Sequence, residues 1–253
     1  MTKNSSKIDR FPITGLPAAG VSPRALVCGD PERARKISTL LDSAEELSRR
    51  REYHAYKGKY KGSLITVCSH GVGAPGAAIV FEEIIAAGVK TIIRVGTCGG
   101  LQPFIKDGDL VIATAAVQNT GYGLENMPSG YPASAQYEVV NAIVQAANQA
   151  SHSTFTGLVL TRDVFYTSNA APTHAPDYKQ LSNARVLAVE MECATLFQIG
   201  NLHGVRTGAV LAVDGNVLNS SESFETYTPD RDIVYEAVEN AIQIGLDSLL
   251  ILG

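Results

Sequence analysis

Nothing in this 253-residue chain approaches the unbroken run of roughly 20 apolar side chains that a membrane-spanning helix needs, so membrane insertion is not expected. The N-terminal stretch MTKNSSKIDRFPITG lacks the apolar segment of a secretory signal. Cysteine is sparse. Cys28, Cys68, Cys98 and Cys193 are far apart, form no CxxC pair and fall in or beside apolar segments. They read as reduced core thiols of a cytosolic protein, with Cys98 alone placed to touch a ligand. Basic residues are not in excess: the formal charge is −4, which argues against a broad nucleic-acid footprint. No internal repeat, low-complexity block or linker appears. The expectation is one domain over residues 1–253, with residues 1–20 as a polar N-terminal arm. What is present, 45% hydrophobic and 18% charged residues, is ordinary for a soluble globular protein.

The chain is organised around Thr91–Leu101, TIIRVGTCGGL. Ile92, Ile93 and Val95 read as a buried strand that breaks into Gly96, Gly99 and Gly100, with Arg94 inside the apolar run. A guanidinium is always charged and costly to bury unpaired. Either it pairs with a buried carboxylate, or it joins a glycine turn whose N–H groups can approach an anion, making a phosphate-sized pocket.

Other segments end in the same way. ALVC (25–28) reads as a strand stopping at Gly29-Asp30-Pro31, with Asp30 as N-cap and Pro31 as first residue of a helix to Leu41. Arg33 in its first turn opposes the helix dipole; it is a solvated side chain or an anion ligand. Arg49, Arg50 and Arg51 precede EYHAYKGKYKG, which reads as a hairpin. LITVCSH (64–70) is a strand, followed by Gly71-Val72-Gly73-Ala74-Pro75-Gly76 and a helix. That run matches GxGxxG, so a dinucleotide site is considered. Against it, the next strand carries Arg94 where an acidic ribose ligand is expected, Pro75 intrudes, and the match lies well inside the chain. His70 reads as a satisfied core histidine.

Residues 108–117 form another strand, 121–133 a loop, 135–150 a helix by its apolar spacing, and 155–168 a strand running into Phe165-Tyr166. That aromatic pair is core, or a platform for a ring. Val186–Val189 is a short strand leading through Glu190-Met191-Glu192 into a helix. The two carboxylates serve the helix dipole, or receive hydroxyls such as those of a ribose. RTGAVLAV (206–213) is the last buried strand and ends in Asp214, and an amphipathic helix over 230–252 closes the chain. Alternation of strands and helices predicts one α/β domain around a largely parallel sheet. Gly29, Gly71, Gly96, Phe165, Glu190 and Asp214 should then converge on one sheet edge, which points to an enzyme.

Taken together, GDPERA (29–34), REY (51–53), SHGVGAPGA (69–77), RVGTCGGLQP (94–103), DVFY (163–166), VEMECATL (189–196) and AVDG (212–215) resemble the nucleoside phosphorylase family. The type matched is the one whose members are typically trimeric or hexameric and cleave purine nucleosides or uridine. The resemblance implies a single α/β domain whose central sheet is mixed and partly barrel-like, flanked by helices. It implies that Gly29, Arg33, Arg94 and Thr97 hold inorganic phosphate. Arg51 would reach a neighbour's phosphate across a dimer interface, in a homo-oligomer such as a hexamer built as a trimer of dimers. Phe165 would stack on the base, Met191 pack under the ribose, Glu190 and Glu192 meet its hydroxyls, and Asp214 serve as general acid at a purine N7. Phosphate is a co-substrate; no cofactor or metal is implied, and the GxGxxG run becomes a structural turn.

Two departures bear on substrate. Uridine-specific members carry a Gln and an Arg soon after the DxFY aromatics, where this chain has Asn169 and Ala171, so purine nucleosides are favoured. No histidine precedes His54, although members commonly place one in the N-terminal arm; the match falls near Ile13, which would leave the 5′ side looser. The competing readings are a uridine phosphorylase, a nucleosidase that uses water and needs no arginine cluster, a nicotinamide-dependent oxidoreductase, and a nucleoside-binding protein without turnover.

Overall fold

The computed structural model describes residues 8–149, 153–166, 176–218 and 227–253. Among the described residues ten strands form one sheet: β1 (Arg24–Cys28), β2 (Asp42–Arg50), β3 (Tyr53–Tyr60), β4 (Ser63–Ser69), β5 (Thr91–Gly100), β6 (Leu110–Asn119), β7 (Ala133–Ser134), β8 (Thr154–Arg162), β9 (Ala188–Glu190) and β10 (Arg206–Asn216). The order is β10-β6-β8-β9-β5-β1-β4-β3-β2, with β7 on β6. A further pairing, β10 with β5, closes β10, β6, β8, β9 and β5 into a five-stranded barrel. The largely parallel sheet read from the alternation of elements is therefore corrected, and the mixed, partly barrel-like sheet that the resemblance implied is borne out: β10 meets β5 in parallel but β6 in antiparallel, and β9 runs antiparallel to β5. Short antiparallel pairings such as Gly99–Val189 are what strand counting from sequence misses.

The helices are α1 (Pro31–Ser38), α2 (Ala74–Ala86), α3 (Gly121–Asn126), α4 (Tyr137–Ala147), α5 (Tyr178–Asn183), α6 (Cys193–His203) and α7 (Asp232–Ile251). One apolar core gathers α2 and α6 through Val80, Phe81, Ile84, Leu196 and Phe197; the other gathers α1, α4 and α7 through Ile37, Ile143, Ile242 and Leu246. Every residue of α6 from Cys193 to Gly200 is buried, as expected of a helix apolar on all sides. α7 lies close on the sheet because Gly245 has no side chain; a Cβ there would fall 2.7 Å from Leu26 Cδ1. No helix among the described residues is long and apolar enough to cross a membrane.

Several local expectations change. The segment read as a hairpin over EYHAYKGKYKG is mostly the single strand β3, and the turn lies at Lys61-Gly62, both with positive φ, leading into β4. Its other partner, β2, was not expected; the charged DSAEELSRR carries no apolar alternation and is largely exposed. The expected loop over 121–133 contains α3, capped by Thr120, whose hydroxyl accepts from the Gly123 amide. The helix after Pro31 stops at Ser38, three residues short of Leu41, and Asp30 caps it by accepting from the Glu32 amide at 2.9 Å.

Candidate active site

The glycines after Arg94 do not break the chain. β5 continues through Gly96 to Gly100, paired with β10 from Val210–Val95 to Asn216–Gly100, so the predicted turn is corrected to strand. Glycine is required there for space: a Cβ on Gly96 would collide with the Arg94 guanidinium, which folds back over its own strand. Arg94 is 4% exposed and meets the first of its expected alternatives, a pairing with buried carboxylates. Its Nη2 pairs closely with Glu192 and lies 3.5 Å from Glu190, while Nε and Nη1 have no partner among the described residues. Two buried cationic donors without acceptors are costly unless something anionic completes them.

Glu192 is fixed from two sides, by Arg94 and by the Gly73 amide at 2.6 Å. Burial is the largest single influence and would raise its carboxyl, but Arg94, His70 and the Gly73 amide together outweigh it and hold the group below the usual carboxylate range. The same amide explains the GxGxxG run. Gly71 and Gly73 adopt left-handed φ of 73° and 88°, Gly71 donates to the Gly29 carbonyl at 2.9 Å, and α2 starts at Ala74. These amides are spent within the protein. Glu190 is spent similarly: it accepts from the Thr161 hydroxyl and from the amides of Glu192 and Cys193, tying down the start of α6. Burial raises its carboxyl.

Asp214, near the end of β10, is 6% exposed. Burial pushes its carboxyl from an ordinary 3.8 up to about 6, against hydrogen bonds from Tyr227 (2.8 Å to Oδ2) and Thr97 that favour the charged form. Thr97 thus stands by the carboxylate as well as in the glycine run. Arg231 donates to the Asp214 backbone carbonyl at 2.6 Å and to the Thr228 carbonyl and pairs with Asp107, and its charge also favours the ionised form of the Asp214 carboxyl. The Tyr227 ring packs edge-on against Phe165 at 5.1 Å, and Phe165 against Tyr166 at 4.9 Å.

These groups share one cavity of about 750 Å³. Gly29, Gly71, Gly96, Phe165, Glu190 and Asp214, expected to converge, all line it, as do Arg33, Arg94, Thr97, Met191 and Glu192. Cys98 lines it too, though all four cysteines are buried and free. Arg51 does not line it. It sits in the β2–β3 turn with φ 53°, exposed, beside Glu52, which does reach the cavity. Near Ile13 the arm is tied to α2, with Thr14 N donating to Glu83 at 2.9 Å. Asn169 and Ala171 lie outside the described residues. Among the described residues no three His, Cys, Asp or Glu side chains gather as a metal-holding group. His70 is buried, its Nδ1 on the Gly71 carbonyl at 2.9 Å, but Nε2 lacks a partner among the described residues, so "satisfied" is half right. Burial pulls its imidazole down to about 4, and it is neutral near pH 7.

The family model of the phosphorylase superfamily matches residues 23–250. The chain belongs to the nucleoside phosphorylase family. Among its curated relatives, a purine nucleoside phosphorylase of Plasmodium vivax is 41% identical over 234 residues, covering 92% of this chain and 93% of the relative. A uridine phosphorylase of Thermococcus kodakarensis is 42% identical over 204 residues, covering 78% and 74%. Among solved structures, the purine nucleoside phosphorylase of Toxoplasma gondii in complex with immucillin-H superimposes with a TM-score of 0.89 at 30% identity, over 97% of each chain.

Among the phosphorylase cavity residues that escaped the sequence reading are Arg162, Tyr178 and Tyr227. Arg162 ends β8, 5% exposed, and its signal was akin to that of Arg94: an arginine in a mostly apolar strand, here closing LVLTR rather than lying inside the run. Tyr227 had no such signal, since it lies in a polar segment outside any strand or helix.

Proposed function

We propose that this nucleoside phosphorylase acts on purine nucleosides, releasing the free base and ribose 1-phosphate. The observation that carries the reading is the shared cavity of two opposed devices: Arg94 with two unpartnered buried donors, and Asp214 with its carboxyl raised to about 6. Inorganic phosphate as co-substrate would satisfy Arg94, with Arg33 and Thr97 nearby. Glu192 would accept from the ribose hydroxyls, Met191 would pack beneath the sugar, and Phe165 would lie against the base. A phosphate oxygen attacks the anomeric carbon as the glycosidic bond breaks. The bonding pair leaves with the base, and the Asp214 proton passes to the purine N7. Positive charge gathering on the sugar is met by the phosphate dianion, which the arginines orient. Protonation of so poor a leaving group contributes on the order of 10²–10⁴-fold. A carboxyl near 6 is still partly protonated around neutral pH, whereas an ordinary aspartate is not.

The arginines favour phosphate over water as acceptor, since a hydrolase has no use for unpartnered buried cations. A second reading, uridine phosphorolysis, is kept because phosphorylases of both kinds stand among the relatives. Arg51, exposed and outside its own chain's cavity, is proposed to serve a neighbouring copy in a homo-oligomer. Arg51→Ala should then raise the KM for phosphate and leave that for the nucleoside nearly unchanged; equal values for variant and parent would remove Arg51 from the site. Base release from inosine and uridine, with and without phosphate, tests the main reading.

A further inference from the structure

Arg162 is a buried cation with no part in the phosphorolysis steps. It lines the catalytic cavity at 5% exposure. Its Nη1 donates to the Tyr178 hydroxyl at 2.6 Å, and its guanidinium carbon lies 5.8 Å from the Tyr178 ring centre. Among the described residues no carboxylate pairs with it. A guanidinium has five N–H donors in a fixed plane, so the Tyr178 bond leaves most of them for the cavity.

The sheet order says which end of the cavity this is. The phosphate-side groups stand on β1, α1 and β5, the carboxylates at the end of β9 and start of α6, and Arg162 on β8, beyond β9. Thr161 is level with Glu190 in the β8–β9 pairing, so Arg162 lies one step past the sugar-binding level. Phe165 follows three residues later. Arg162 is therefore on the base side, with β9 between it and the phosphate side.

Resting on the phosphorolysis reading, we propose that Arg162, held by Tyr178, is a specificity residue that donates hydrogen bonds to a ring carbonyl of the base. The bases it suits bear an oxo group, as in hypoxanthine, guanine or uracil. The exocyclic amino group of adenine presents N–H toward N–H and is disfavoured. A charged hydrogen bond in a mostly desolvated place discriminates by roughly 10- to 100-fold.

The test is kcat/KM for inosine, guanosine, uridine and adenosine in the parent, Arg162→Leu and Arg162→Lys. The parent should prefer inosine to adenosine by about 10- to 100-fold. Arg162→Leu should lose most of that ratio through the oxo-nucleosides, with adenosine turnover and the KM for phosphate within about threefold, and Arg162→Lys should restore part of it. Uridine and inosine distinguish the two sources of the carbonyl: whichever falls with Arg162→Leu is the one read. An equal fall for all nucleosides, or a parent that prefers adenosine, overturns the proposal. Should the leucine variant not fold, Tyr178→Phe frees the guanidinium and should narrow the same ratio; an unchanged ratio counts against the proposal. Calorimetric binding of hypoxanthine and adenine to the parent separates the two claims. Base release from no nucleoside would sink phosphorolysis, while tighter binding of hypoxanthine than adenine would still support Arg162 as the carbonyl reader, and equal binding would refute it.

Discussion

Replacing Asp214 by Asn should cost catalysis and, above about pH 6, add stability. The carboxyl stands at about 6 against an ordinary 3.8, mainly through burial. That displacement corresponds to roughly 3 kcal/mol between the two protonation states. The folded-state value is the higher one, so the fold prefers the neutral acid. Its contribution is fully present below about pH 3.8 and is lost as pH rises through about 6. The parent thus carries a buried charge at pH 7.5 that the Asp214→Asn variant would not. An asparagine keeps an oxygen to accept from Tyr227 but has no titratable proton to deliver. Thermal unfolding from pH 4.5 to 8 should show the variant gaining on the parent with rising pH, by up to several degrees for a chain of this size, at roughly 2–4 °C per kcal/mol. In parallel, kcat for inosine should drop by about 10²–10⁴-fold. A melting difference independent of pH would refute the buried-charge account. Inosine turnover within tenfold of the parent would refute Asp214 as the acid.

Three further outcomes follow from the same geometry. Gly96→Ala puts a methyl where the Arg94 guanidinium lies, so the KM for phosphate should rise by at least about tenfold; phosphate titration at saturating nucleoside reads it, and an unchanged KM would separate Arg94 from the anion. Glu192→Gln leaves Arg94 with only Glu190 at 3.5 Å, and breaking a buried pair from one side should cost about 3–5 kcal/mol in denaturant unfolding, with a raised KM for nucleoside. Tyr227→Phe removes a donor that favours the charged form of Asp214, so the carboxyl should rise and the alkaline limb of kcat/KM should move to higher pH; movement to lower pH would show that Tyr227 acts some other way.

Much of the site was legible because chemistry breaks pattern. Arg94 within TIIRVG, two carboxylates around Met191 and an aspartate after RTGAVLAV each contradict their apolar surroundings, and all of them line the cavity. What was illegible depended on through-space packing. Glycines 96, 99 and 100 read as a turn because glycine weakens isolated strands; here β10 pairs along that run, and Gly96 leaves room for the guanidinium. β2 was invisible since its charged residues alternate no apolar face. Barrel closure rests on the β10–β5 pairing, a contact between segments over a hundred residues apart, which no local pattern reveals. The distinct duties of Glu190 and Glu192 were equally hidden, because the two stand at the same strand end and what separates them is their partners, Thr161 and the amides of Glu192 and Cys193 for one, Arg94 and the Gly73 amide for the other.

Hypoxanthine release from inosine, measured with and without inorganic phosphate on the unaltered protein, tests the central claim most directly. The account predicts release that requires phosphate, yields ribose 1-phosphate in equal amount and exceeds release of uracil from uridine. Release at the same rate without phosphate, with free ribose as the product, would contradict it and leave the unpartnered donors of Arg94 unexplained.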